Sequence, residues 1–326
     1  MENVTAAERF DRAADAARKT SPHLRASGTV ERYTVLNACD AYVRKVRSLK
    51  GDKAAYDLDG RYRRWVSGDP IHRVEVGKLT REQVSNFRQR IVAAPVNIGR
   101  SSATRERSKD TVNRDIAAVR AALNMAIDDC MALSDLAWKK PLAAFKNVSR
   151  RRELYLDREE RIRLIQSAGA DLAQFIRGLS MLPLRPGALA SLTVADLDVR
   201  VGVLKIGTDK SGKDRRLKLP AVIADFLNTA AGDRPSTSPL FARSDGNAWN
   251  RDSWKKPLKA ASLAAKLPAG TIAYTLRHSA ISDLVHSGLD LLTVAQISGT
   301  SVAMIERHYG HPRSDVAAAA LAKLVL

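Results

Sequence analysis

At 326 residues the chain is long for one domain and comfortable for two, so size alone allows a sizeable core. Hydrophobic residues make up 45% of it but aromatic ones only 5%, with much alanine, which favours packed helices over an all-strand architecture. Lys and Arg number 54 against 35 Asp and Glu, a formal charge of +19 that calls for a polyanionic partner, nucleic acid first, while the absence of a long apolar run argues against a membrane span.

The opening "MENVTAAERFDRAADAARK" carries acidic residues early and has no apolar core, so it does not read as a secretory signal. Cys39 and Cys130 are far apart and lack metal-ligand spacing, which fits a reducing cytoplasm, close to the nucleoid if the partner is DNA, and no disulfide framework. Residues 1–32 show no clear apolar face and read as a flexible arm. From Thr34 to Lys50, Val35, Ala38, Tyr42, Val46 and Leu49 form one stripe with Thr34 as N-cap, the pattern of an amphipathic helix. "GDKAAYDLDGRYRRW" and "APVNIGRSSATRERSKD" are polar, contain glycine and read as loops. Between them a second helix is expected over Thr80 to Ala93. A long basic helix is expected over Thr111 to Ala132, with Val112, Ile116, Val119, Leu123 and Ile127 at helical spacing. Residues 33–146 thus form a helical domain.

A polar, strongly basic linker follows at 147–156, containing Arg150, Arg151 and Arg152, and suits a crossing of a phosphate backbone between two lobes. A new helix opens near Asp157 with the capping pattern "DREE". Beyond a helix reaching Met181, alternating apolar positions in "VGVLKIG" and "RRLKLP" flank "TDKSGKD", the signature of a small β-hairpin. Helices resume at Pro220, a loop covers "PSTSPLFARSDGNAW", and the chain from Trp254 onward is again mostly helical. The fold class is mainly α with a small antiparallel β-sheet.

Four features stand in order in the second half: Arg185 in "LRPGALASL", Lys210 in "TDKSGKDRR", Tyr274 with Arg277 in "YTLRHSA", and Tyr309 in "ERHYGH". Two planar guanidinium forks can hold both non-bridging oxygens of one phosphodiester and stabilise the charge of a pentavalent transition state. Pro186 favours the first helical turn, which puts Arg185 at a helix N-terminus. Tyr274 and Arg277, three apart, share a helix face. Lys210 on a hairpin turn can reach a leaving oxygen and protonate it, and a tyrosine oxygen with its ordinary pKa of about 10 needs neighbouring cations to become a nucleophile. His308 and His311, with no carboxylate or cysteine at ligand spacing, do not make a metal site.

The order and local wording of these motifs resemble the tyrosine recombinase (phage integrase) family. The resemblance covers residues 157–326 as a catalytic domain and, more weakly, 33–146 as the family's core-binding domain. It implies that Tyr309 attacks a DNA phosphate to give a 3′-phosphotyrosyl link, that Lys210 is the general acid, and that His278 supports the site by hydrogen bonding. It implies no cofactor and no divalent metal. Its partners would be double-stranded DNA sites bound by a homo-tetramer, with accessory directionality or DNA-bending proteins, and its task integration or excision of a mobile element. The sequence departs from the family at three places. Tyr274 replaces the usual histidine three residues before Arg277. Thr300, in "ISGTS", stands where a histidine or tryptophan is usual, leaving His308 as a candidate aid to catalysis. Ala188 replaces an acidic residue three after Arg185.

Arg105, Arg107, Lys109, Arg114 and Arg120, around the start of the long helix, are expected on phosphates, where they position without reading sequence. The tail "RSDVAAAALAKLVL", with Ser314 as cap and Val316, Ala320 and Leu324 on one stripe, reads as a helix that packs on a neighbouring protomer or on its own. Two alternatives share these motifs: a type IB topoisomerase-like relaxing enzyme, and a catalytically weak DNA-binding relative.

Overall fold

The computed structural model describes residues 32–98, 102–148, 154–207, 214–309 and 322, and the chain divides into two units, 1–150 and 151–326. The expected arm, the residues of the basic linker at 149–153 and the tail after Tyr309, apart from Ala322, lie outside the described residues.

In the first unit α1 spans Val35–Lys50 and opens with a capping box: Thr34 Oγ1 accepts from the Asn37 N–H at 3.3 Å while Asn37 Oδ1 accepts from the Thr34 N–H at 2.9 Å. It buries Val35, Ala38, Cys39, Val43 and Val46. Leu49, expected on the buried stripe, is 70% exposed, because the last turn runs past the edge of the core. Gly51, at φ +82°, then turns the chain directly into α2, Asp52–Trp65. This stretch was expected to be a loop. It is helical because one narrow stripe suffices: Ala55 and Tyr62 are buried, and the Tyr62 hydroxyl donates to Ala118 O at 2.8 Å.

Two short 3-10 turns, Pro70–Arg73 and Val76–Lys78, lead to α3, Arg81–Ala93, which has a second capping box between Thr80 and Gln83 and buries Val84, Phe87 and Ile91. The next stretch, also read as a loop, contains a short antiparallel pair, β1 (Val96–Asn97) and β2 (Thr104–Arg105). Helix α4, Lys109–Asp128, starts two residues before the expected Thr111 because Ser108 supplies the cap, and it ends before Ala132, where Cys130 takes φ +59°. Its buried face holds Val112, Ile116, Val119 and Leu123 as the spacing predicts, and also Asp115.

The second unit begins with residues 154–156 strapped to a later helix. Leu156 N–H donates to Ser279 Oγ at 2.8 Å, and the Tyr155 hydroxyl donates to Asp283 at 2.6 Å. Helix α5, Arg158–Gln166, has the expected Asp157–Glu160 capping box. Then come α6 (Ala170–Met181), the five-residue α7 (Pro186–Ala190), and a 3-10 turn at Val194–Asp196. The sheet has three antiparallel strands, β3 (Leu197–Asp198), β4 (Val203–Ile206) and β5 (Arg215–Lys218), in the order β3-β4-β5. In the hairpin Leu204 pairs with Leu217 and Ile206 with Arg215.

The remaining helices are α8 (Ala221–Ala231), α9 (Arg251–Ala264), α10 (Ala273–His286), α11 (Leu291–Ser298) and α12 (Val302–Tyr309). Helix α9 starts at Arg251 rather than Trp254 because the Asn250 side chain caps it. The main core centres on Phe175, which stacks on Trp249 and Trp254 at centroid distances of 5.7 and 5.4 Å. Gly178 lets α6 close on this core, since a Cβ there would lie 2.6 Å from Phe241 Cζ. A separate small cluster, Ile281, Val294, Ala295 and Ile305, joins α10, α11 and α12.

Candidate active site

Arg277 lies at the centre of the site, on the second turn of α10, and is only 7% exposed. A buried guanidinium needs partners for its N–H groups. Nη1 donates to Pro183 O, just before Arg185, and to Ser298 O at 2.9 Å, at the end of α11. Two segments more than a hundred residues apart in sequence are thereby tied to one cation.

Burial first and the positive charge of Arg185 next lower the Arg277 pKa, the phenols of Tyr309 and Tyr274 oppose the shift, Arg215 adds to it, and the outcome is about 10. Arg185 at the N-cap of α7, Tyr274 on α10, Tyr309 on α12 and Arg215 on β5 thus all lie near enough to act on the charge of one guanidinium. Arg185 is half-buried at the N-cap of α7, with Pro186 at the first helical position as the sequence predicts. Tyr274, at the start of α10, is 46% exposed, unlike Arg277. His278, the residue after Arg277, is buried, and its ring lies 4.9 Å from that of Tyr309.

Tyr309 ends α12 and is half-buried, with half-buried His308 beside it. Thr300 follows Gly299, which closes α11 in the left-handed region at φ +66°, and the Thr300 N–H donates to Ala295 O at 3.0 Å. Lys210 lies outside the described residues. Arg215, not singled out by the sequence, joins the site from β5: its Nη1 donates to Gln296 O at 3.0 Å and to Ile297 O at 2.8 Å. Its partners lie more than eighty residues ahead, so no local pattern reports the contact.

In the first unit the basic residues divide. Arg105, Lys109, Arg114 and Arg120 are exposed, Lys109 over the Phe145 ring at 5.6 Å and Arg114 paired with Asp110. Arg107 does not extend to the surface as expected. Its side chain is 9% exposed, stacks over Trp65 at 4.4 Å and faces the buried Asp115 at 3.3 Å, where Arg61 also donates at 2.7 Å. The buried carboxylate draws it inward. Arg150, Arg151 and Arg152 lie outside the described residues. Among the described residues no three or more His, Cys, Asp or Glu side chains converge as a metal site would require, and no helix is long and apolar enough to cross a membrane.

Two arginines and a phenol are thus gathered on a mainly helical domain with a three-stranded sheet. Residues 159–315, which hold every one of these groups, match the model of the phage integrase family. The likeness to that family is carried by this stretch of the second unit. The chain is 26% identical over 136 residues to tyrosine recombinase XerC of Pelobacter propionicus, covering 40% of this chain and 44% of that protein. It is also 26% identical over 169 residues to tyrosine recombinase XerD of Staphylococcus haemolyticus, covering 48% and 57%. The chain thus spans about half the length of the curated relatives it matches.

In fold it is similar to the Tn1549 transposon integrase in complex with a circular intermediate DNA, at TM-score 0.66 and 16% identity over 88% of this chain and 99% of that one. It is similar also to a lambda integrase dimer bound to a core site, at TM-score 0.63 and 14% identity over 82% and 95%.

Proposed function

We propose that the chain is a site-specific DNA recombinase that cleaves and rejoins double-stranded DNA, and that its task is integration or excision of a mobile element. The observation that carries this reading is the gathering of Arg185, Tyr274, Tyr309 and Arg215 around buried Arg277. Mere DNA binding needs no phenol in such a place. The family match and the DNA-bound integrases of similar fold support it.

In this reading Arg185 and Arg277 grip the non-bridging oxygens of the scissile phosphate. Arg277 is already desolvated, so its charge acts in a low dielectric, where it is strongest. The Tyr309 oxygen attacks phosphorus: the bond from phosphorus to the 5′ oxygen breaks, a 3′-phosphotyrosyl bond forms, and Lys210 gives its proton to the departing 5′ oxygen. The phenolic proton passes to water as the bond to phosphorus forms. The reverse attack by a 5′-hydroxyl from a partner duplex restores the phosphodiester and frees Tyr309, so no external energy source is needed. Tyr274 donates a hydrogen bond to the phosphate in place of the usual histidine, and Thr300 donates one where a ring is usual. Pairing of two duplexes calls for a tetramer, with accessory proteins setting direction.

The test is a nicked suicide duplex carrying candidate attachment sites. A denaturant-resistant protein–DNA adduct that is lost in Tyr309→Phe is the expected result; a chain that binds the duplex and forms no adduct would overturn the reading.

A further inference from the structure

Helix α11 ends at Ser298, and like any helix end it leaves its last carbonyls without intrahelical partners and a partial negative charge around them. Here two guanidinium groups cover three successive carbonyls. Arg215 takes Gln296 O and Ile297 O at 3.0 and 2.8 Å, and Arg277 takes Ser298 O at 2.9 Å. The following glycine is required twice over. Gly299 adopts φ +66°, and a Cβ on it would lie 2.5 Å from the Arg215 guanidinium carbon. Arg215 therefore fills the space beside Gly299 and bears on the residues that come next, Thr300 and then α12 with Tyr309. Its charge also falls on Arg277.

We propose that Arg215 is a positioning residue for strand cleavage: by clamping the end of α11 from the sheet, it holds Thr300 and the helix of Tyr309 in register with Arg277. The inference rests on the recombinase reading above. It is not general packing, because the grip is directed at carbonyls three and four residues before Thr300 rather than at the main core. A misplacement of about 1 Å at a reacting group can cost roughly a hundredfold in rate, so a lost clamp reads out in chemistry before it reads out in binding.

The test uses the full chain with Arg215→Ala, Thr300→Val and the double variant, and Gly299→Ala as a second way of displacing the guanidinium. Hydrogen exchange over residues 295–301 is measured without DNA, and adduct formation on a pool of nicked duplexes of randomised core sequence, with Tyr309→Phe as blank. Arg215→Ala is expected to speed exchange in that segment roughly tenfold, as loss of a charged hydrogen bond would. It is expected to slow adduct formation by up to about a hundredfold with duplex affinity unchanged. The double variant should lose no more than the worse single one, since both act through one segment. Unchanged exchange in both displacing variants overturns the clamp whatever the activity. Wild-type adduct rates in Arg215→Ala, or additive losses, overturn the positioning role and leave the recombinase reading intact. No adduct from the unaltered chain removes that reading and this inference with it.

Discussion

The imidazole of His278 lies against the phenol ring of Tyr309, centroids 4.9 Å apart and planes tilted by 33°. His278 is buried and adjoins Arg277 on α10, so one helix presents both the central guanidinium and the surface on which the proposed nucleophile rests. Replacing His278 by Ala removes that surface. Adduct formation on a suicide duplex should fall by about ten- to a hundredfold, a loss of orientation rather than of binding, and single-turnover rates at saturating protein would reveal it. Full activity in His278→Ala would mean that the ring contact plays no part.

Arg277 should show its double role in two separate measurements. Arg277→Ala leaves Pro183 O and Ser298 O without their donor, and each stranded buried acceptor costs about 1 to 3 kcal/mol, so the urea midpoint should drop as activity disappears.

Inorganic phosphate should stabilise the chain. Burial and Arg185 lower the Arg277 pKa to about 10, so the folded state holds that proton less firmly than the unfolded one and the charged site is an unfavourable element that an anion relieves. At ten times Kd the stabilisation is about 1.4 kcal/mol, a rise of roughly 3 to 6 °C in Tm. The effect should be fully present below about pH 10 and fade above it, as Arg277 loses its charge. Equimolar chloride serves as control, and a phosphate effect that survives Arg185→Ala would count against this site.

Arg107 and its exposed neighbours should separate in a salt titration. Neutralising Arg105, Lys109 or Arg120 should lower the slope of log K against log salt by about 0.9 each if each meets a phosphate, whereas Arg107→Gln should leave the slope unchanged. Asp115→Ala, which strands Arg107 beneath the surface, should cost about 3 to 5 kcal/mol in urea unfolding.

Gly178→Ala tests how tightly α6 closes on the core. The new methyl would meet Phe241 at 2.6 Å and Leu189 at 3.2 Å, so a loss of about 1 to 3 kcal/mol is expected, read from thermal unfolding.

What could be read in advance was local. Thr34, Thr80 and Asp157 announce helix starts because the cap and its return partner sit three residues apart, and Pro186 places Arg185 for the same reason. Helix α2 escaped notice because its two buried residues, Ala55 and Tyr62, gain their meaning from α1 and α4, while Gly60 and a run of charges mimic a loop. The cations beside Arg107 in sequence point it outward; Trp65 and Arg61, more than forty positions away, decide otherwise. The motif residues Arg185, Tyr274, Arg277 and Tyr309 could be picked out through the family's wording, and Arg215 could not, since its worth lies in carbonyls of a distant helix end.

The helix bearing Tyr309 is anchored through Ile305 to a cluster of its own, apart from the aromatic core around Phe175. Such a small nucleus can open while the bulk of the unit stays folded. Cutting competence would then be governed by a cheap, local detachment of one short helix, letting the molecule stay seated on a duplex with its blade withdrawn until something presses that helix home.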